Sequence, residues 1–218
     1  KKSLLVDFGT NNSRIEGRPR REIFDVIISD LSTIKSKNLL LTHFHMDHLS
    51  GLLYMMKKKD ISVDFGKIYL PDVFSKKEMS RTLVLLLLAD LLKESGLPSR
   101  QVSLFALVDA LLENKQNVEL LSRGKLFENK YQALWPDTDV IRKETDEVYN
   151  RICEDGKFKE VMDVLLEFAE KLRLIVWSMT AEGNKPAETV EKETDLTASE
   201  LTEQPEVRQK IIRAYVYE

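Results

Sequence analysis

A chain of 218 residues, 43% hydrophobic and 32% charged, holds enough apolar sequence for one sizeable core or a core with an appendage. Its formal net charge of -3 and pI near 5.8 exclude a broad basic face, which argues against a general DNA-coating role and makes any nucleic-acid contact local. The single cysteine, Cys153, excludes an intrachain disulfide framework and points to a reducing, cytoplasmic setting.

In chain order, "SLLVDFG" at residues 3–9 reads as a short buried strand running into the polar turn "TNNSR". The next segment spaces Ile23, Phe24, Ile27, Ile28, Leu31 and Ile34 three and four apart, one apolar stripe on a helix. "NLLLTHF" is a continuous apolar run, the pattern of a strand buried on both faces, and "HLSGLLYMMKKK" predicts a short helix with Lys57 to Lys59 as its solvated end. "FGKIYLP" is the next strand. Two such strand–helix alternations within residues 1–70 predict an α/β layered sheet.

Residues 75–114 turn helical and Leu-rich, in two pieces divided at Gly96 and Pro98. The longest apolar run, residues 83–89, is far shorter than the roughly 20 residues of a membrane span. It predicts a buried helix, or one that meets a partner or a second copy. Residues 117–136 are strand-like with a turn at Arg123 and Gly124; Trp135 is expected to pack under the sheet and Trp177 to be a contact residue at the edge of a helical extension. Residues 139–174 predict two charged amphipathic helices broken at Asp155 and Gly156. Residues 181–205 read as a polar linker and 206–218 as a short terminal element. No signal peptide is visible, and the opening within a strand pattern carries the expectation of further residues upstream.

The chemistry concentrates in "LLLTHFHMDHLSG". All three histidines, His43, His45 and His48, fall within six positions, with Asp47 among them. On a strand end His43 and His45 point to one side, where they can meet one cation. A turn after His45 would let Asp47 and His48 reach a second. Imidazole with carboxylate suits Zn²⁺ first, with Mn²⁺ or Fe as the next choices. Without a metal, burying such a cluster leaves costly polar groups to satisfy.

"THFHMDH" resembles the T-H-x-H-x-D-H signature of the metallo-β-lactamase fold superfamily, and "LLVDFG" resembles that superfamily's first motif. "FGKIYLP" and "YQALWP" are similar to strands of the bacterial branch related to ComEC-type DNA-uptake proteins. The resemblance implies an α/β fold of αββα sandwich type over residues 1–136, with a helical insertion at about 75–114 and a helical extension at 137–180. It implies His43 and His45 as ligands of a first zinc and Asp47 and His48 of a second. Asp47 would also orient the nucleophile and handle its proton. Asp7 would support the metal from behind its ligands, and Thr42 would steady the strand or a ligand.

The activity so implied is hydrolysis of a phosphodiester in a nucleic acid or nucleotide by metal-bound hydroxide. Related proteins of this branch suggest an effector in bacterial defence, with the helical regions docking a protein partner or a second copy. The sequence departs from the pattern: no histidine follows His48, so later ligands of a two-metal site are missing, and the strands that would carry them are hard to find after Pro136. Segments beyond this sequence, another chain or domain, or a degenerate site would each account for that, and the first is the expectation. The rival readings are a binding or assembly module that has lost turnover, and a thioester or lactone hydrolase.

Overall fold

The computed structural model describes residues 2–58, 64–94 and 104–181. The expected break at Gly96 and Pro98, Lys59, nearly all of the polar linker and the terminal element lie outside them. Four short strands, β1 (Ser3–Val6), β4 (Lys37–Leu40), β5 (Ile68–Pro71) and β6 (Val118–Leu121), form one sheet in the order β1-β4-β5-β6, and every pair is parallel. A small ribbon of β2 (Arg14–Ile15) and β3 (Arg18–Pro19) leads from β1 into helix α1 (Arg20–Thr33). Helix α2 (Met46–Met56) joins β4 to β5, while α3 (Ser80–Glu94) and α4 (Leu104–Glu113) lie between β5 and β6. Because sequential strands are neighbours, right-handed crossovers put their connections on one face of the sheet. Contacts of α2 with both α1 and α4 accord with a single layer there.

The strands bury what their period of two dictates. Leu5, Leu39, Leu41, Ile68, Leu70, Val118 and Leu120 join the main core, whereas Leu4, Leu40, Tyr69 and Leu121 belong to a second cluster. On α1 the predicted stripe packs as expected except at Ile23, which is outside the core cluster: Phe24, Ile28 and Leu31 are buried, with Ile27 and Ile34 against them.

The Leu-rich helix is core. Leu83, Val84 and Leu87 of α3 are inaccessible, and α3 packs on α5 (Thr138–Glu154) and α6 (Gly156–Ser178). Asp137 caps α5 by accepting from the amides of Asp139 and Val140, and Asp155 caps α6 by accepting from that of Lys157, which explains the break at that point. One apolar cluster runs from Phe8 through these helices to Val176.

The second cluster is covered by a ribbon of β7 (Leu126–Phe127) and β8 (Tyr131–Gln132), through Phe127 and Ala133. Its turn places Glu128 at φ 51° and Asn129 at φ 57°, left-handed backbone that non-glycine residues seldom adopt. The Glu128 carboxylate ties the turn down by accepting from Tyr69 OH at 2.6 Å and from the buried Asn38 amide.

Trp135 does not pack under the sheet: in the segment between β8 and α5 it is 56% exposed beside Leu134 at 79%. The described residues thus form an α/β protein with one four-stranded sheet and two two-stranded ribbons. The second large sheet of a sandwich is not among them.

Candidate metal centre

The site is assembled where β1 and β4 end. β4 stops at Leu40 and α2 begins at Met46; residues 42–44 bend between them and His45 is extended at the helix start. β1 stops at Val6, and Asp7 turns the chain at φ 53°. Aspartate tolerates that left-handed geometry better than most side chains.

The loop after Asp7 is clamped to α2 by backbone bonds. Phe8 N donates to His48 O at 2.7 Å, and Gly51 N and Leu52 N donate to Phe8 O at 2.8 and 3.1 Å. Thr10 N donates to Ser50 Oγ, which in turn donates to Thr10 O, both at 2.9 Å. A β-carbon on Gly9 would lie 2.7 Å from the backbone nitrogens of Leu49 and Ser50, so only glycine lets the loop approach the helix this closely. Sequence reading overlooked Phe8, Gly9 and Ser50; the glycines of "DFG" and "LSG" were the available signal.

The clamp brings Asp7 up to the histidine segment. Its Oδ1 accepts from Thr42 N at 2.8 Å, and its Oδ2 accepts from Thr42 Oγ1 at 2.8 Å while lying 2.8 Å from His48 Nδ1. An acceptor-only carboxylate at that distance fixes the proton on His48 Nδ1 and leaves the Nε2 lone pair free. Thr42 carries the same ordering one step on. With its hydroxyl proton given to Asp7, its oxygen can accept from His43 Nδ1, 3.1 Å away, which again turns the His43 Nε2 lone pair outward. His48 Nε2 lies 3.4 Å from Asp47 Oδ2, so these two donors face a common point.

His43, Asp47 and His48 each offer one ligand atom, all within 4.8 Å of one another. Donors on a four-coordinate zinc stand roughly 3.4 Å apart, so modest side-chain rotation would bring the three onto one ion. Two imidazoles and a carboxylate, with a second carboxylate behind one imidazole, fit a divalent borderline metal. Burial foremost, and then the neighbouring His48 and His45, hold the His43 imidazole below its ordinary pKa, in the neutral form that ligation needs.

His45 lies beside this set. Its ring stands edge-on to that of His43 with centroids 4.7 Å apart, and it precedes the first turn of α2. The grouping therefore differs from two pairs, His43 with His45 and Asp47 with His48. The bend after β4 ends the period-two alternation that would have kept His43 and His45 in register, and the helix start brings Asp47 and His48 back over His43.

Asp47 lies in the first turn of α2. No described helix is long and apolar enough to cross a membrane. No family model, curated protein or solved structure matches the chain.

Proposed function

We propose that the protein is a metal-dependent hydrolase of metallo-β-lactamase type that cleaves a phosphodiester in a nucleic acid or nucleotide. The observation that carries this reading is the Asp7 carboxylate, which touches both Thr42 and His48 and so orders the His48 Nε2 lone pair toward the Asp47 carboxylate and, through Thr42, the tautomer of His43. Side chains ordered in this way are characteristic of metal ligation and serve no need of packing, since the rings are only partly buried. His43, Asp47 and His48 would hold a zinc or manganese ion. Such an ion, when bound, supplies hydroxide near neutral pH and polarises a phosphoryl oxygen.

The chain's own part is to hold the ligands in the metal-ready tautomer and to keep a proton acceptor at Asp47 Oδ. The parallel strands present these groups at their carboxyl ends, where α/β sheets leave room for a substrate. The same constellation suits hydrolysis of a thioester or lactone, and substrate screening separates the two. A binding module without turnover is favoured by one observation: among the described residues the donor set has three members, short of a two-metal centre.

The test is elemental analysis of the full chain, with His43→Ala and Asp47→Ala as controls, followed by hydrolysis of bis(p-nitrophenyl) phosphate. One zinc or manganese ion per chain, lost together with activity in both variants, is the expected result. Absence of bound metal after loading overturns the hydrolase reading. Metal without turnover of phosphodiester, thioester or lactone leaves the binding module.

A further inference from the structure

We infer that the cavity at the carboxyl ends of β4, β5 and β6 is a subsite for a planar nitrogen heterocycle, the base of a nucleotide whose phosphate lies at His43, Asp47 and His48. The inference rests on the hydrolase reading and deepens it. The cavity measures about 350 Å³, at the small end of the roughly 300–1,000 Å³ range of ligand sites. Leu40, Leu121, Phe127 and Ala133 line its apolar walls.

Thr42 belongs to the wall of this cavity and also lies 3.1 Å from His43 Nδ1, so a single residue separates the cavity from the metal centre. Trp135, more than half exposed, lines the cavity and brings an indole to its rim. An indole so placed is a stacking surface for a flat ring.

Gln132 gives the site an edge reader. Its Nε2 donates to Gly124 O at 3.3 Å, which leaves the amide oxygen and a second N–H for the hydrogen-bonding edge of a base. Among the described residues no lysine or arginine lines the cavity, so a phosphate finds no counter-charge there and belongs at the metal instead. An aliphatic acyl chain would use the walls but neither the indole face nor the amide.

The test uses the full chain stripped of metal with a chelator and carrying Trp177→Phe, so that tryptophan emission reports Trp135 alone. Adenosine monophosphate, ribose 5-phosphate and hexanoate are titrated in turn. Saturable quenching by the nucleotide and by neither of the others is expected, and Trp135→Leu, which keeps an apolar side chain and is read by titration calorimetry, should weaken nucleotide affinity about 10-fold or more while leaving zinc binding unchanged. Three results overturn the inference: no saturable quenching by the nucleotide, binding of hexanoate in its place, or a Trp135 shielded from acrylamide in a dimer, which makes the rim a protein contact. Quenching without metal leaves the subsite standing even if the hydrolase reading falls. Zinc binding without quenching does the reverse.

Discussion

Replacing Asp7 with asparagine isolates the electrostatic role of one residue that is not itself a metal ligand. Asparagine is as tolerant of the left-handed backbone at φ 53° as aspartate, so the turn is kept. Its single side-chain oxygen can keep the bond from Thr42 N, at 2.8 Å in the native protein. The amide nitrogen then occupies the place of Oδ2, facing Thr42 Oγ1 and His48 Nδ1, each 2.8 Å away. There it donates to His48 Nδ1, moves the imidazole proton to Nε2 and closes the lone pair a metal needs. Thr42 loses its acceptor as well, which frees the tautomer of His43.

Loss of such a supporting group costs about 10- to 100-fold in metal affinity, or about 1.4–2.7 kcal/mol. Because two ligands lose their ordering, the larger figure applies here. The assay is zinc titration against a competing chelator, with nitrogen-15 NMR to read the protonated nitrogen of His48. An Asp7→Asn protein that binds zinc as tightly as the native one, with His48 still protonated on Nδ1, refutes the reasoning.

Because His45 lies beside the compact donor set, His45→Ala should reduce zinc affinity less than His43→Ala does in the same titration; equal losses would restore the pairing of His43 with His45. Gly9→Ala forces a β-carbon to 2.7 Å from two backbone nitrogens of α2, for an expected loss of about 2–3 kcal/mol and a fall in Tm of about 4–12 °C, measurable by calorimetry. Glu128 is held below its ordinary carboxyl pKa chiefly by the hydrogen bond from Tyr69, and also by that from Asn38. Its contribution to stability is therefore complete above the unfolded-state value near 4.5 and is lost as the pH falls through the lower folded-state value. The Tm difference between the native protein and Glu128→Gln should accordingly shrink below that pH in thermal scans, and a constant difference from neutral to acidic pH would refute the assignment.

Much of the α/β framework is legible in the amino-acid order, because it rests on local periodicity. The stripe of Phe24, Ile28 and Leu31, the run of Leu39 to Leu41 and the Asp155 cap each specify their element within a few residues of sequence. The concentration of His43, His45, Asp47 and His48 likewise stands in the sequence, since it depends on neighbours along the chain.

What only the tertiary structure decided involves partners distant in sequence. The chain separates Asp7 from His48 by 41 positions, and the two meet because Gly9 lets one loop lie against the start of α2. That His43 and not His45 falls into one compact group with Asp47 and His48 follows from where β4 ends and α2 begins, a boundary that apolar patterning does not fix to the residue. Trp135 is expected under the sheet from its type, yet in the segment after β8 it is more than half exposed, because burial there depends on which distant segments meet it. Local pattern determines elements through hydrogen bonding and burial within one segment; the site depends on how segments approach one another, and that is settled by packing alone.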